Sequence, residues 1–149
     1  MKIFIGADHR GFKKKNQLAK FLREKGHEVV DEGAVDSCEN DDFNDYASAV
    51  ARAVRETPHS LGILLCGSAH GMAIQANRFC QIRAISATDP KLVKLGRLHN
   101  DANVLCLSAD FLSLKKLKHF AEIFIKTDFD NIKNHARRNK RLDERKDYD

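Results

Sequence analysis

Short apolar runs recur along the chain at Ile3 to Ile5, Glu28 to Val30, Leu61 to Leu65, Ile82 to Ile85 and Asn103 to Leu107. Each is separated from the next by a stretch long enough for a helix, and that alternation predicts a parallel sheet. Runs such as LGILL and NVLCL lack a polar residue at every second position, as strands do when helices cover both faces. The expected architecture is α/β, with a five-stranded, doubly wound parallel sheet. Between the first two runs, Phe12, Leu18, Phe21 and Leu22 fall on one side of a helix over 12–25 that Gly26 ends. Further helices are predicted over 46–56, 72–77, 91–98 and 114–126, with Thr88 or Asp89 placed to cap the fourth. Residues 34–44, rich in Asp, Asn and Ser, read as a loop. A last helix over 131–141 is polar and basic, with few apolar residues of its own, and suits packing on a partner subunit.

At 149 residues and 42% hydrophobic content the chain fits one domain over 1–149. A formal charge of +5 suits an acidic small molecule or nucleic acid. Lys13-Lys14-Lys15 and the basic residues from Lys133 to Lys146 carry much of it, without the interleaved aromatic rings that stack on bases, so no nucleic-acid partner is expected. No apolar run approaches the roughly 20 residues that span a bilayer, so no membrane partner is expected either. Four scattered cysteines with no CxxC pair, and an amino-terminal MKIFIGAD that reads as a strand, point to a reducing cytoplasm.

In doubly wound sheets ligands gather outside the carboxyl ends of the strands. The first strand leads into Gly6-Ala7-Asp8-His9-Arg10-Gly11 and the third into Cys66-Gly67-Ser68-Ala69-His70-Gly71, while His99 and Asn100 precede the fifth. A carboxylate, several imidazoles, a thiol and an amide are therefore expected at one rim. Gly67 and Gly71 let the backbone approach a ligand, and amides at the head of the helix beginning near Ala69 suit an anion or a developing oxyanion. Cys66 sits where that helix start can lower a thiol pKa from about 8.5 and supply thiolate. A buried structural role is the alternative, and it is the expectation for Cys38, Cys80 and Cys106. Asp8 can equally cap the helix ahead of Phe12, His99 and Asn100 can be turn residues, and His70 can face solvent. His27, His59 and His119 are expected at the surface or satisfied. No metal site is expected, because no His, Cys or carboxylate pair shows ligand spacing with a matching second pair.

Taken in order, GADHRGF at 6–12, the DxxxYA of 42–47, ILLCGSxxG at 63–71, IQANR at 74–78, IRA at 82–84 and HNDANVL at 99–105 resemble the ribose-5-phosphate isomerase B family, which also contains the galactose-6-phosphate isomerase subunits. HNDANVL favours the ribose branch. The resemblance implies a Rossmann-like fold and a homodimer or dimer of dimers with active sites between subunits. It further implies interconversion of ribose 5-phosphate and ribulose 5-phosphate with no cofactor and no metal. In that reading Cys66 is the base that moves a proton between C2 and C1, Ser68 assists, and the amides of Gly67, His70 and Gly71 hold the enediolate oxygen. His99 acts as acid or base in ring opening, Asp8 and Asn100 hold sugar hydroxyls, and His9 and Arg138 hold the phosphate. Met72 stands where some relatives carry a glutamate base, which places the chain with the cysteine type.

Three stretches depart from the family pattern. Phe43-Asn44 replace a Tyr-Pro pair, Asn134 replaces the first arginine of an RHxxR pattern, and Asp110 in LSADFLS replaces an arginine after the fifth strand. At about 4 Å and an effective dielectric of 20, that last change turns roughly 4 kcal/mol of attraction for phosphate into repulsion. Either Asp110 points away or the ligand differs. Arg10, Arg137 and Arg141 are candidates for compensating phosphate contacts. The rival readings are an isomerase of another aldose, a hexose 6-phosphate or a free sugar, and a non-catalytic sugar-phosphate binding protein.

Overall fold

Five parallel strands, β1 (Lys2–Ala7), β2 (Glu28–Asp31), β3 (Leu61–Cys66), β4 (Ala84–Ser86) and β5 (Val104–Ser108), form one sheet in the order β2-β1-β3-β5-β4. The computed structural model describes residues 1–36 and 40–144. Cys38, Arg145 and Lys146 lie outside the described residues. Among the described residues, six helices connect and follow the strands: α1 (Phe12–Glu24), α2 (Phe43–Glu56), α3 (His70–Ala76), α4 (Pro90–Asn100), α5 (Leu114–Lys126) and α6 (Lys133–Asp143).

The continuous apolar runs form strands buried from both sides. Ile3, Ile5, Ile63, Leu65, Leu105 and Leu107 point to α1, α4 and α5, where Leu18, Leu22, Val93, Leu117, Phe120 and Phe124 meet them. Phe4, Leu64, Cys66, Val104 and Cys106 point the other way, onto Ala47, Val50, Met72 and Ala76 of α2 and α3. The alternation of successive side chains thus directs Cys66 towards the α2–α3 face. Gly26 follows α1 with φ +84°, the left-handed conformation expected of a helix stop. Of the two candidates to cap α4, Asp89 does so, accepting from the Lys91 amide at 2.8 Å.

Boundaries differ from expectation where polar residues continue an element. The α2 helix begins at Phe43 rather than at Tyr46, and α3 at His70 rather than at Met72. β4 begins at Ala84, because the Arg83 amide bonds the Asn103 side chain and Arg83 belongs to the turn below the sheet. Of the Lys13-Lys14-Lys15 run, Lys13 is exposed while Lys14 and Lys15 turn into the fold. Lys14 Nζ donates to the Ala109 and Leu112 carbonyls at 2.5 and 2.8 Å. Lys15, 1% exposed, donates to both Asp31 oxygens and to the Ala34 carbonyl. Its charge is buried but fully partnered, the condition under which such burial is tolerated. Cys80 is exposed, contrary to the buried role expected of it, whereas Cys106 is fully buried and its thiol pKa is raised by that burial. His27 is half-buried, its Nδ1 finds no hydrogen-bond partner among the described residues, and burial lowers its pKa.

Candidate active site

The carboxyl ends of β1, β3 and β5 open into a cleft of about 320 Å³ whose walls include Asp8, Arg10, Phe43, Cys66, Ser68 and Asp110. β3 lies between β1 and β5, with Ala7 beside Leu65 and Cys66 beside Ser108, so the three following loops converge. Asp8 is 6% exposed and accepts from the Arg10 and Gly11 amides at 3.0 and 3.1 Å. It therefore tightens the turn before α1 and lines the cleft as well. Burial raises its pKa against the Gly11 and Arg10 amides and the His9 charge.

Beyond Cys66 the chain turns through Ala69, at φ 73°, into α3. That left-handed turn brings the amides of Met72, Ala69 and Ser68 onto the Cys66 thiol. The thiol pKa is nevertheless raised, by burial first and by the Asp8 charge in addition, where the sequence expectation was a lowered one. Burial outweighs the converging amides. The glycine loop is held from below: Ser108 Oγ donates to the Gly67 carbonyl at 2.6 Å, and the amides of Ala109 and Asp110 donate to the Cys66 and Gly67 carbonyls. Both glycines have a steric reason. A Cβ on Gly71 would lie 2.7 Å from the Phe43 ring, and one on Gly67 would lie 2.8 Å from Arg10 Nε and 3.0 Å from Asp110 Oδ2. The Arg10 guanidinium is ion-paired with the Asp110 carboxylate. Asp110 thus neither leaves the cleft nor faces it unpaired.

His9 is gripped by Asp41, which accepts from the backbone amide at 2.9 Å and lies 2.6 Å from the ring Nδ1. That hydrogen bond, ahead of the Asp41 and Asp8 charges, raises the imidazole pKa. Tyr46 hydrogen-bonds the same carboxylate, and burial with the nearby acids raises its phenol pKa. Sequence reasoning missed both Asp41 and Ser108. Asp41 sits in a loop of many acids with nothing to single it out, and Ser108 ends an apolar run.

The expectation of one rim fails for His99 and Asn100. Helix α4 carries the chain back from β4 to the amino end of β5, so these residues lie at the opposite edge of the sheet from Cys66. The length of β5 alone separates the two edges by about 13 Å. At that far edge the His99 ring stacks against His135, with centroids 4.4 Å apart. Asn139 Nδ2 donates to the His99 carbonyl at 3.1 Å, which fastens α6 to α4. Arg137, Arg138 and Arg141 are exposed on α6, away from the Cys66 cleft of the same chain. His70 is exposed at the start of α3, outside the walls of the cleft; its amide donates to Ser68 Oγ at 3.4 Å. A larger polar cleft of about 470 Å³ below the sheet is lined by Arg83, Arg97, Asp101 and Asp143, which spend their charges on one another.

A sequence profile described as Ribose/Galactose Isomerase matches residues 3–142. The chain belongs to the ribose/galactose isomerase family. Among members of that family, ribose-5-phosphate isomerase B of Escherichia coli is 37% identical over 136 residues, 91% of each protein. Probable ribose-5-phosphate isomerase B of Mycoplasma pneumoniae is 36% identical over 128 residues, covering 86% of this chain and 84% of that protein. Among solved structures, the Thermotoga maritima ribose 5-phosphate isomerase superimposes with a TM-score of 0.92 at 37% identity, covering 97% of this chain and 98% of that one. The Mycoplasma genitalium ribose-5-phosphate isomerase B, solved with bound ribulose-5-phosphate, gives 0.90 at 34% identity over 95% and 93%. Fold and family are those the motifs implied. Among the described residues, no helix is long and apolar enough to cross a membrane.

Proposed function

We propose that this member of the ribose/galactose isomerase family interconverts ribose 5-phosphate and ribulose 5-phosphate through an enediolate. The observation that carries the reading is the Cys66 thiol at the head of α3, met by three backbone amides in a cleft with Asp8 and Ser68. The likeness to relatives named for this reaction supports it.

Asp8 holds a sugar hydroxyl, and the Cys66 thiolate takes the proton from C2 of the open-chain aldose. The electron pair forms the C1–C2 double bond and charge collects on O1, where the amides of Gly67, His70 and Gly71 stabilise it. With Ser68 assisting, the O2 proton passes to O1. As the C2 carbonyl forms, the Cys66 thiol returns its proton to C1, and atoms and charge balance with no cofactor or metal.

His99, Asn100 and Arg138 enter this scheme from a second copy of the chain, whose far edge covers the cleft. The partner's His99 opens the furanose ring and the partner's Arg138 joins His9 at the phosphate. Exposed Ile74, Leu92, Leu95, Ile132 and Leu142 on α3, α4 and α6 and the segment between α5 and α6 favour such an assembly. The protein acts in the cytoplasm in this reading. The test is an isomerisation assay across ribose 5-phosphate, hexose 6-phosphates and the free sugars, beside Cys66→Ala and Arg138→Ala. Conversion of ribose 5-phosphate alone, lost in Cys66→Ala and with a severely raised KM in Arg138→Ala, supports the proposal. A second reading, an isomerase of another aldose, draws on the Arg10–Asp110 pair, in which the Arg10 cation at the cleft mouth is spent on an acid of the same chain. Preference for a hexose phosphate or a free sugar would establish it, and binding without turnover of any sugar would mark a binding protein.

A further inference from the structure

Three residues from two separate stretches of the chain meet where α4 ends and α6 begins. His99, Asp130 and His135 each offer a ligand atom, and these atoms lie within 4.8 Å of one another. The backbone prepares the meeting. The Asp130 amide donates to the Leu98 carbonyl at 3.0 Å, and Asn139, one turn beyond His135, donates to the His99 carbonyl. The Asp130 carboxylate accepts from the Ile132 amide at 3.1 Å and lies 2.9 Å from His135 Nδ1. The carboxylate and the His135 ring are largely shielded, at 15% and 22% exposure.

Two imidazoles and one carboxylate form a donor set that suits zinc, copper or nickel rather than magnesium or calcium. Three protein ligands with a fourth position left to water is a familiar coordination for zinc. Bonds of about 2.1 Å in a tetrahedron require ligand atoms about 3.4 Å apart; His135 Nδ1 and the Asp130 carboxylate already lie within that span, so a small movement of the His99 ring towards them closes the set. Lys133, Arg137 and Arg138 nearby oppose a dication, but all three are exposed and screened. Spacing along the sequence concealed this cluster, since its members come from two helices and the segment between α5 and α6.

We propose that His99, Asp130 and His135 bind a zinc-type transition-metal ion, and that occupancy switches the isomerase off. The inhibition rests on the role given to His99 above: a ring nitrogen bound to metal can no longer exchange a proton with the furanose. The metal site itself does not depend on that role.

The test titrates the chelator-treated, full-length protein with zinc chloride by calorimetry, and with cobalt chloride by absorption. His135→Gln and Asp130→Asn are each expected to weaken zinc binding at least about 100-fold, since even removing a partner behind a ligand costs 10–100-fold. Bound cobalt should lack thiolate charge-transfer absorption, and ribose 5-phosphate turnover should fall with zinc occupancy and return on adding a chelator. No zinc binding, equal binding in wild type and both variants, or a thiolate–cobalt band overturns the site. Zinc held by these residues with turnover unchanged overturns the inhibition. If the metal-free protein turns over no ribose 5-phosphate, the functional reading fails by itself, and the titrations still decide the metal site.

Discussion

The Arg10 guanidinium and the Asp110 carboxylate form an ion pair directly over Gly67, joining the loops after β1 and β5 across the mouth of the Cys66 cleft. Arg10 thereby compensates within the chain for the acid that stands where the family carries a cation. Asp110→Ala frees Arg10 for the phosphate and is expected to lower KM for ribose 5-phosphate. Arg10→Ala leaves the acid uncompensated and should raise KM about tenfold, the factor that corresponds to 1.4 kcal/mol. The double variant should return most of the way to wild type, and the effects should shrink at high salt because the pair is partly exposed. An Arg10→Ala effect that is the same with and without Asp110 would show that the pair does not act on substrate.

Cys66 carries a raised pKa because burial and Asp8 outweigh the amides of Met72, Ala69 and Ser68. Below its pKa, the thiolate fraction grows about tenfold per pH unit, so kcat should climb between pH 7 and pH 9. Cys66→Ala should abolish exchange of the C2 hydrogen with solvent while the sugar phosphate still binds. A kcat that stays flat over that window, or exchange that survives in Cys66→Ala, removes the thiol as base.

Much of this geometry was legible in the sequence. Apolar runs fix strands strongly because both faces of a doubly wound sheet are covered, and each of the five runs contributes to a strand. Polar extensions were harder, since His70-Gly71 and Phe43-Asn44 continue helices without continuing an apolar stripe. The position of His99 was read wrongly for a topological reason: periodicity reveals that a helix exists but not to which end of the sheet it returns. Lys15 escaped notice for the opposite reason, its charge disguising a core position that only the Asp31 partner makes tolerable. The Asp41–His9 contact spans a loop and has no period to betray it.

That contact gives His9 a pH-dependent role. Its pKa is raised, chiefly by the Asp41 hydrogen bond, so the ring stays cationic to higher pH than an ordinary histidine. A folded pKa above the unfolded value of about 6.5 means that the stabilisation is complete below that pH and is lost as pH rises through the raised value. Asp41→Asn should therefore lower stability at pH 5.5 more than at pH 8.5. It should also raise KM for the phosphorylated sugar near pH 7, where the variant has lost its cation, and much less at pH 5.5, where both rings are charged. A KM ratio that does not change across this range would exclude His9 as a charged phosphate ligand.

Arg83 ties the two helices of the far edge together. Its Nε donates to the Asn100 and Asp101 carbonyls at 3.0 Å, its Nη2 pairs with Asp101, and its Nη1 grips both oxygens of Asp143 at 2.8 Å. The side chain is 14% exposed, and the fork reaches the end of α4 and the end of α6 at once. Breaking a fully buried pair costs 3–5 kcal/mol; these carboxylates are about one-third exposed, so Arg83→Ala should cost about 2 kcal/mol. For a chain of this size that lowers Tm by about 4–8 °C. Lysine keeps the charge but cannot make the bidentate contact, so Arg83→Lys should recover less than half of the loss. If the clamp also holds α6 in place for the phosphate, Arg83→Lys should raise KM for ribose 5-phosphate more than it lowers kcat at a temperature where the variant is fully folded. A change in Tm with both kinetic constants intact would confine Arg83 to stability.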